Sequence, residues 1–188
     1  MLSVRVHIFN CVAAIGAYVF CARLRLRTFL FWVLFMVCTF FGHRKIYNAK
    51  EIEPTLRSAL LDLIENKGVT AFYVGNHGGF DSMVQRVLKE LSEQYPISCL
   101  IVLAYLPEKS PVEPFHFETI LPEGIEAVPK RFAILYRNKW MVEHSDFVIT
   151  YVTHDNGSGA AQFKALAERQ GKKIIDLYGE RFLCVQGS

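Results

Sequence analysis

From residue 36 to residue 177, short apolar runs alternate with segments whose apolar residues recur every three or four positions. That alternation is the sequence form of βαβ units and restricts the chain to an α/β fold with a mostly parallel sheet. Strands are expected at 36–41, 70–74, 98–104, 146–152 and 172–177. The run Leu100, Ile101, Val102, Leu103 is apolar on both faces, as suits a strand covered by helices on each side. Helices are expected near 51–66, 81–94 and 130–144, and one opened by the glycine loop Asn156-Gly157-Ser158-Gly159 and running to about Gln170. Ile52, Leu56, Ala59, Leu60, Leu63 and Ile64 give the first its 3.6-residue period; Met83, Val84, Val87, Leu88 and Leu91 give the second. Gly68 and Gly171 stand where C-caps belong. The pattern predicts a Rossmann-like three-layer αβα sandwich of about five strands over residues 36–177, with 178–188 as a tail.

Two segments are less regular. Residues 105–130 contain Pro107, Pro111, Pro114, Pro122 and Pro129, which rule out a long helix and predict an excursion over the sheet edge. In the helix that follows, Phe132, Leu135, Tyr136 and Trp140 are expected to form the apolar side, with Arg137, Asn138 and Met141 pointing elsewhere.

At 188 residues the chain has room for one domain with a proper core. Its 52% hydrophobic content is concentrated in residues 1–42, which hold no Asp or Glu. Residues 6–22 (VHIFNCVAAIGAYVFCA) are apolar apart from His7 and Asn10 and reach the lower limit of ~17 for a membrane span. Arg23, Arg25 and Arg27 follow and would keep that side, and the domain, in the cytoplasm. The competing reading starts the working protein at Met36, which leaves residues 1–35 as a hydrophobic extension outside the domain.

The net charge is +3, and four arginines (Arg5, Arg23, Arg25, Arg27) precede Met36. Without them the remainder carries about −1, which argues against non-specific nucleic-acid binding. The five cysteines are Cys11, Cys21, Cys38, Cys99 and Cys184; they are widely spaced, with no C-x-x-C and no zinc spacing. No metal site and no disulfide are expected, as in a reducing compartment.

In an open parallel sheet the ligand lies beyond the carboxyl ends of the strands, so the loops there belong together. After the first strand comes Gly42-His43-Arg44, whose arginine can fork onto a phosphate or carboxylate. After the second comes Gly75-Asn76-His77-Gly78-Gly79-Phe80-Asp81, a glycine loop opening a helix and so a candidate anion site. Asp81 reads equally as a helix cap, and His77 as an acid, a base or a solvated side chain. After the fourth comes His154-Asp155-Asn156-Gly157-Ser158-Gly159, a second glycine loop opening a helix and a second candidate anion site. Arg137 and Asn138 could grip phosphate and base, or form a solvated face.

These residues in order, with Phe72-Tyr73-Val74 before Gly75, Trp140-Met141-Val142 and Ser145 after Asn138, and Ala160-Ala161 after Gly159, resemble the SLOG superfamily of Rossmann-like domains. That group includes the Smf/DprA DNA-processing proteins and the LOG nucleotide hydrolases; the likeness is nearest to a bacterial branch and spans residues 36–177. It implies a pocket for a nucleotide-like small molecule formed by Gly42, His43, Arg44, Gly75, Gly78, Gly79, Phe80, Asp81, Arg137, Asn138, Gly157, Ser158 and Gly159. LOG-type hydrolases carry Gly-Gly-x-Gly-Thr-x-Glu in the loop after the fourth strand. Here Asn156 breaks the glycine pair, Ala160 replaces the threonine and Gln162 stands at the glutamate position. An amide cannot act as the general base a carboxylate provides, so ligand binding or sensing without turnover is expected.

Two alternatives stay open at this level. One is hydrolysis of an N-glycosidic or phosphate bond through Asp81, His77 or His154. The other is an interaction role in DNA processing or cell division. The sequence names no cofactor, and leaves open membrane attachment through residues 6–22 and assembly into a homo-oligomer.

Overall fold

The computed structural model describes residues 36–106, 116–153 and 157–179. All of them fall in the second of two units into which the chain divides, Leu34–Ser188. The expectations for residues 1–35, for Pro107, Pro111 and Pro114, for His154 to Asn156 and for residues 180–188 lie outside the described residues. Among the described residues no helix is long and apolar enough to cross a membrane.

Six parallel strands form one sheet: β1 Met36–Gly42, β2 Val69–Val74, β3 Ser98–Val102, β4 Glu118–Ile120, β5 Phe147–Tyr151 and β6 Lys173–Asp176. Among the described residues four α-helices lie between them: α1 Ala49–Glu65, α2 Gly79–Ser92, α3 Lys130–Glu143 and α4 Gly159–Arg169. The spatial order is β4-β3-β2-β1-β5-β6. The chain therefore steps outward from β1 to β4, then returns past β1 to lay down β5 and β6.

Side chains alternate across a strand, and β1 shows what that does. Cys38 and Phe40 enter one apolar cluster with Ile52, Leu56, Leu60 and Leu63 of α1 and Val84, Val87 and Leu88 of α2. Phe41 enters a second cluster with Met141 and Val142 of α3 and Phe163 and Ala167 of α4. The sheet is thus covered on both faces, the three-layer arrangement that the apolar strand runs imply. Cys38 and Cys99 are buried free thiols that act as small apolar residues.

The structure departs from the sequence reading in two places. The sheet has six strands, because Glu118–Ile120 in the proline-rich excursion pairs with β3. Three half-exposed residues give too short a run for alternation to be read. α4 begins at Gly159, where the glycine loop opens the helix as expected, and Ser158 caps it by accepting the Ala161 N–H at 3.3 Å. The buried stripe of α3 is Ala133, Arg137, Met141 and Val142, while Phe132 and Leu135 are 47% and 53% exposed. Ala133, Arg137 and Met141 follow an i, i+4 spacing, so the stripe was periodic but had an arginine at its centre.

Candidate functional site

β1 lies at the switch point of this topology, where a crevice opens beyond the strand ends. Two hydrogen bonds hold the surrounding loops together. The Gly79 N–H donates to the Arg44 carbonyl at 2.7 Å, joining the loops after β1 and β2. The Thr153 N–H donates to Nε2 of His43 at 3.0 Å, joining the loops after β1 and β5. Between these loops lies a hollow of about 410 Å³.

Nine of the residues expected at the site line that hollow: Gly42, His43, Arg44, Gly75, Asp81, Arg137, Asn138, Ser158 and Gly159. His77 joins them. Gly78, Gly79, Phe80 and Gly157 do not line it, and three of these serve the site from behind. Phe80 is 1% exposed and lies so close under Gly42 that a β-carbon at 42 would sit 2.4 Å from its ring. Gly78 adopts φ 116° with its α-carbon turned to Arg44, and Gly79 makes the hydrogen bond already described. Gly157 has φ 66° and supplies the turn before Ser158. Sequence reasoning missed the apolar floor, where Phe41 and Phe163 stack at 5.2 Å between centroids beside Met141. The alternation of β1 carried that signal, since Phe41 leaves the sheet at the strand's carboxyl end.

Gly75 has a different purpose from close approach of main chain to ligand. A β-carbon there would lie 2.3 Å from Oδ2 of Asp81 and 2.7 Å from Nη1 of Arg137. Glycine leaves room for a carboxyl and a guanidinium to come together under the loop. Oδ2 of Asp81 accepts the His77 N–H at 2.9 Å. Burial nevertheless pushes the Asp81 carboxyl up to about 6, against the opposing pull of that hydrogen bond and of Arg137. Arg137 is 3% exposed and donates through Nη1 to the Val102 carbonyl at 3.0 Å. Its burial lowers its basicity, opposed by Asp81 and Tyr105, but an arginine stays charged. His77 bonds the Tyr105 hydroxyl through Nε2 at 2.9 Å. Burial, then the charges of Arg137 and Arg44, hold its pKa below the ordinary value, so the ring is neutral at neutral pH.

Of the two helix N-termini expected to receive anions, one is occupied by the protein itself. The first N–H of α2 is taken by the Arg44 carbonyl, and Asp81 stands in its first turn. The N-terminus of α4 has no acidic residue in its first turn, and Ser158, Gly159 and Ala160 face the hollow. Its dipole end and the Arg44 guanidinium share one concavity. Gln162 is outside the lining; its exposed side chain turns back and donates to the Gly157 carbonyl at 3.2 Å. Among the described residues no group of three or more His, Cys, Asp or Glu could hold a metal ion. Neither any protein-family model nor any curated protein sequence matches the chain.

Proposed function

We propose that this is a SLOG-type domain that binds a nucleotide-derived ligand in the hollow beyond β1 and senses it without turnover. The observation that carries the reading is the meeting of Arg44 with the acid-free N-terminus of α4 at the topological switch point. A hollow of about 410 Å³ suits a small molecule, and its floor of Phe41, Phe163 and Met141 offers a surface for a base or ribose. Gln162 is an amide, lies outside the lining and donates to the Gly157 carbonyl, so the position that carries the carboxylate in LOG-type chemistry offers none here.

One observation favours a hydrolase as the second reading: Asp81 lines the hollow with its carboxyl pushed up to about 6, the range in which a group can both take and return a proton. A thermal-shift screen of the full chain against AMP, ADP-ribose and NAD tests binding. A ligand at 100 times its Kd stabilises by about 2.7 kcal/mol. Chromatography of the same mixtures tests turnover. Free base released by the wild type but not by Asp81→Asn would select the hydrolase.

A further inference from the structure

Arg137 holds a buried donor, Nε, that no group among the described residues accepts from. Nη1 is engaged by the Val102 carbonyl. Among the described residues Nε is buried and has no hydrogen-bond partner, although the side chain borders the hollow and is 3% exposed. Buried donors without partners are rare in folded proteins, and a guanidinium presents Nε as one arm of a fork matched to an oxyanion. Nδ1 of His77, another side chain in the lining, is likewise buried and unpartnered. A hydroxyl would satisfy one donor of such an edge; a carboxylate or phosphate satisfies the fork and its charge together. Asp81 is the lining's one carboxyl among the described residues; it meets the guanidinium beside Nη1 under Gly75 and accepts the His77 N–H, but it takes no hydrogen bond from Nε.

We propose that the ligand carries two acidic groups, one held by Arg44 and the N-terminus of α4 and a second oxyanion held on the Nε edge of Arg137. This rests on the nucleotide reading for the first group only. The second oxyanion can be a phosphate or a carboxylate, and the probes separate the two.

The test is calorimetric titration of the full chain with AMP, with two nucleotides that are acidic at a second position (adenosine 3′,5′-bisphosphate, a second phosphate; adenylosuccinate, a succinate with two carboxylates; both termed two-acid nucleotides), and with inorganic pyrophosphate. Wild type, Arg137→Gln and Arg137→Lys are compared, with melting curves to establish that each variant folds. At least one two-acid nucleotide is expected to bind about tenfold or more tighter than AMP. The bisphosphate winning identifies a phosphate, adenylosuccinate a carboxylate. Both variants should remove most of that advantage and weaken the two-acid nucleotide far more than AMP, because lysine keeps the charge and loses the fork. The proposal is overturned if neither two-acid nucleotide outbinds AMP on the wild type, a comparison that needs no variant. It is also overturned if a folded variant weakens AMP as much as the two-acid probes. Pyrophosphate binding that depends on Arg137 while no nucleotide binds would sink the nucleotide reading and keep this one. Silence from every probe sinks both.

Discussion

The main-chain N–H of Gly79 donates to the carbonyl oxygen of Arg44 at 2.7 Å. That single bond closes the N-terminus of α2 and sets the main chain of Arg44 at the rim of the hollow. It is possible because Gly78 adopts φ 116°, and because no β-carbon at 78 crowds the Arg44 α-carbon, which would lie 2.9 Å away.

Gly78→Ala should therefore lose stability by about 1–3 kcal/mol, since both the strained φ and the contact with backbone resist relief. Chemical denaturation measures this directly. A midpoint equal to that of the wild type would show that the two loops are not held as described.

Gly75→Ala should act on binding more than on the core. Its methyl group would push apart Asp81 and Arg137, at 2.3 and 2.7 Å from the new carbon. Overpacking of this kind costs about 1–3 kcal/mol. The ligand-induced rise in Tm with the best nucleotide should shrink or vanish; an undiminished rise contradicts this arrangement.

The two faces of α3 make opposite predictions. Leu135→Gln should change stability by no more than about 0.5 kcal/mol, because Leu135 is 53% exposed. Ala133→Leu should cost about 1–3 kcal/mol, because Ala133 is 2% exposed against Ile125 and Ala104. Reversal of that order in thermal melts would restore the apolar-side reading of the helix.

That helix marks the limit of what periodicity can reveal. In α1 and α2 the apolar stripe is the buried stripe, so Ile52, Leu56, Leu60, Val84, Val87 and Leu88 were legible in the sequence. In α3 the buried stripe contains Arg137, whose burial depends on the Val102 carbonyl and on Asp81, both distant in sequence. Hydrophobicity alone assigns such a residue to solvent. The glycine loops were legible as a group at one sheet edge, because topology brings strand ends together. The separate tasks of Gly75 and Gly78 were not, because each glycine makes room for a side chain or main chain from elsewhere in the fold. β4 was missed for want of length.

Asp81 gives the domain a pH dependence of definite sign. Its carboxyl is raised in the folded state from 3.8 to about 6, so the ionised form is disfavoured by folding. Its contribution is fully present below the unfolded pKa and is lost as pH rises through about 6. Between pH 5 and 8 the loss is about 1–2 kcal/mol. Asp81→Asn should remove that component, so the wild-type minus variant difference in unfolding free energy should fall over the window. A flat difference, or one that rises with pH, contradicts the buried, disfavoured carboxylate.

The most direct test of the central claim is an amide-resolved NMR titration of the full chain with AMP. Binding at the hollow should move the N–H signals of Gly42, Arg44, Gly159 and Ala160 together, with one common Kd, and Arg44→Glu should abolish the response. Saturable shifts confined to another face, or no shifts at millimolar AMP, would contradict a nucleotide site at the switch point.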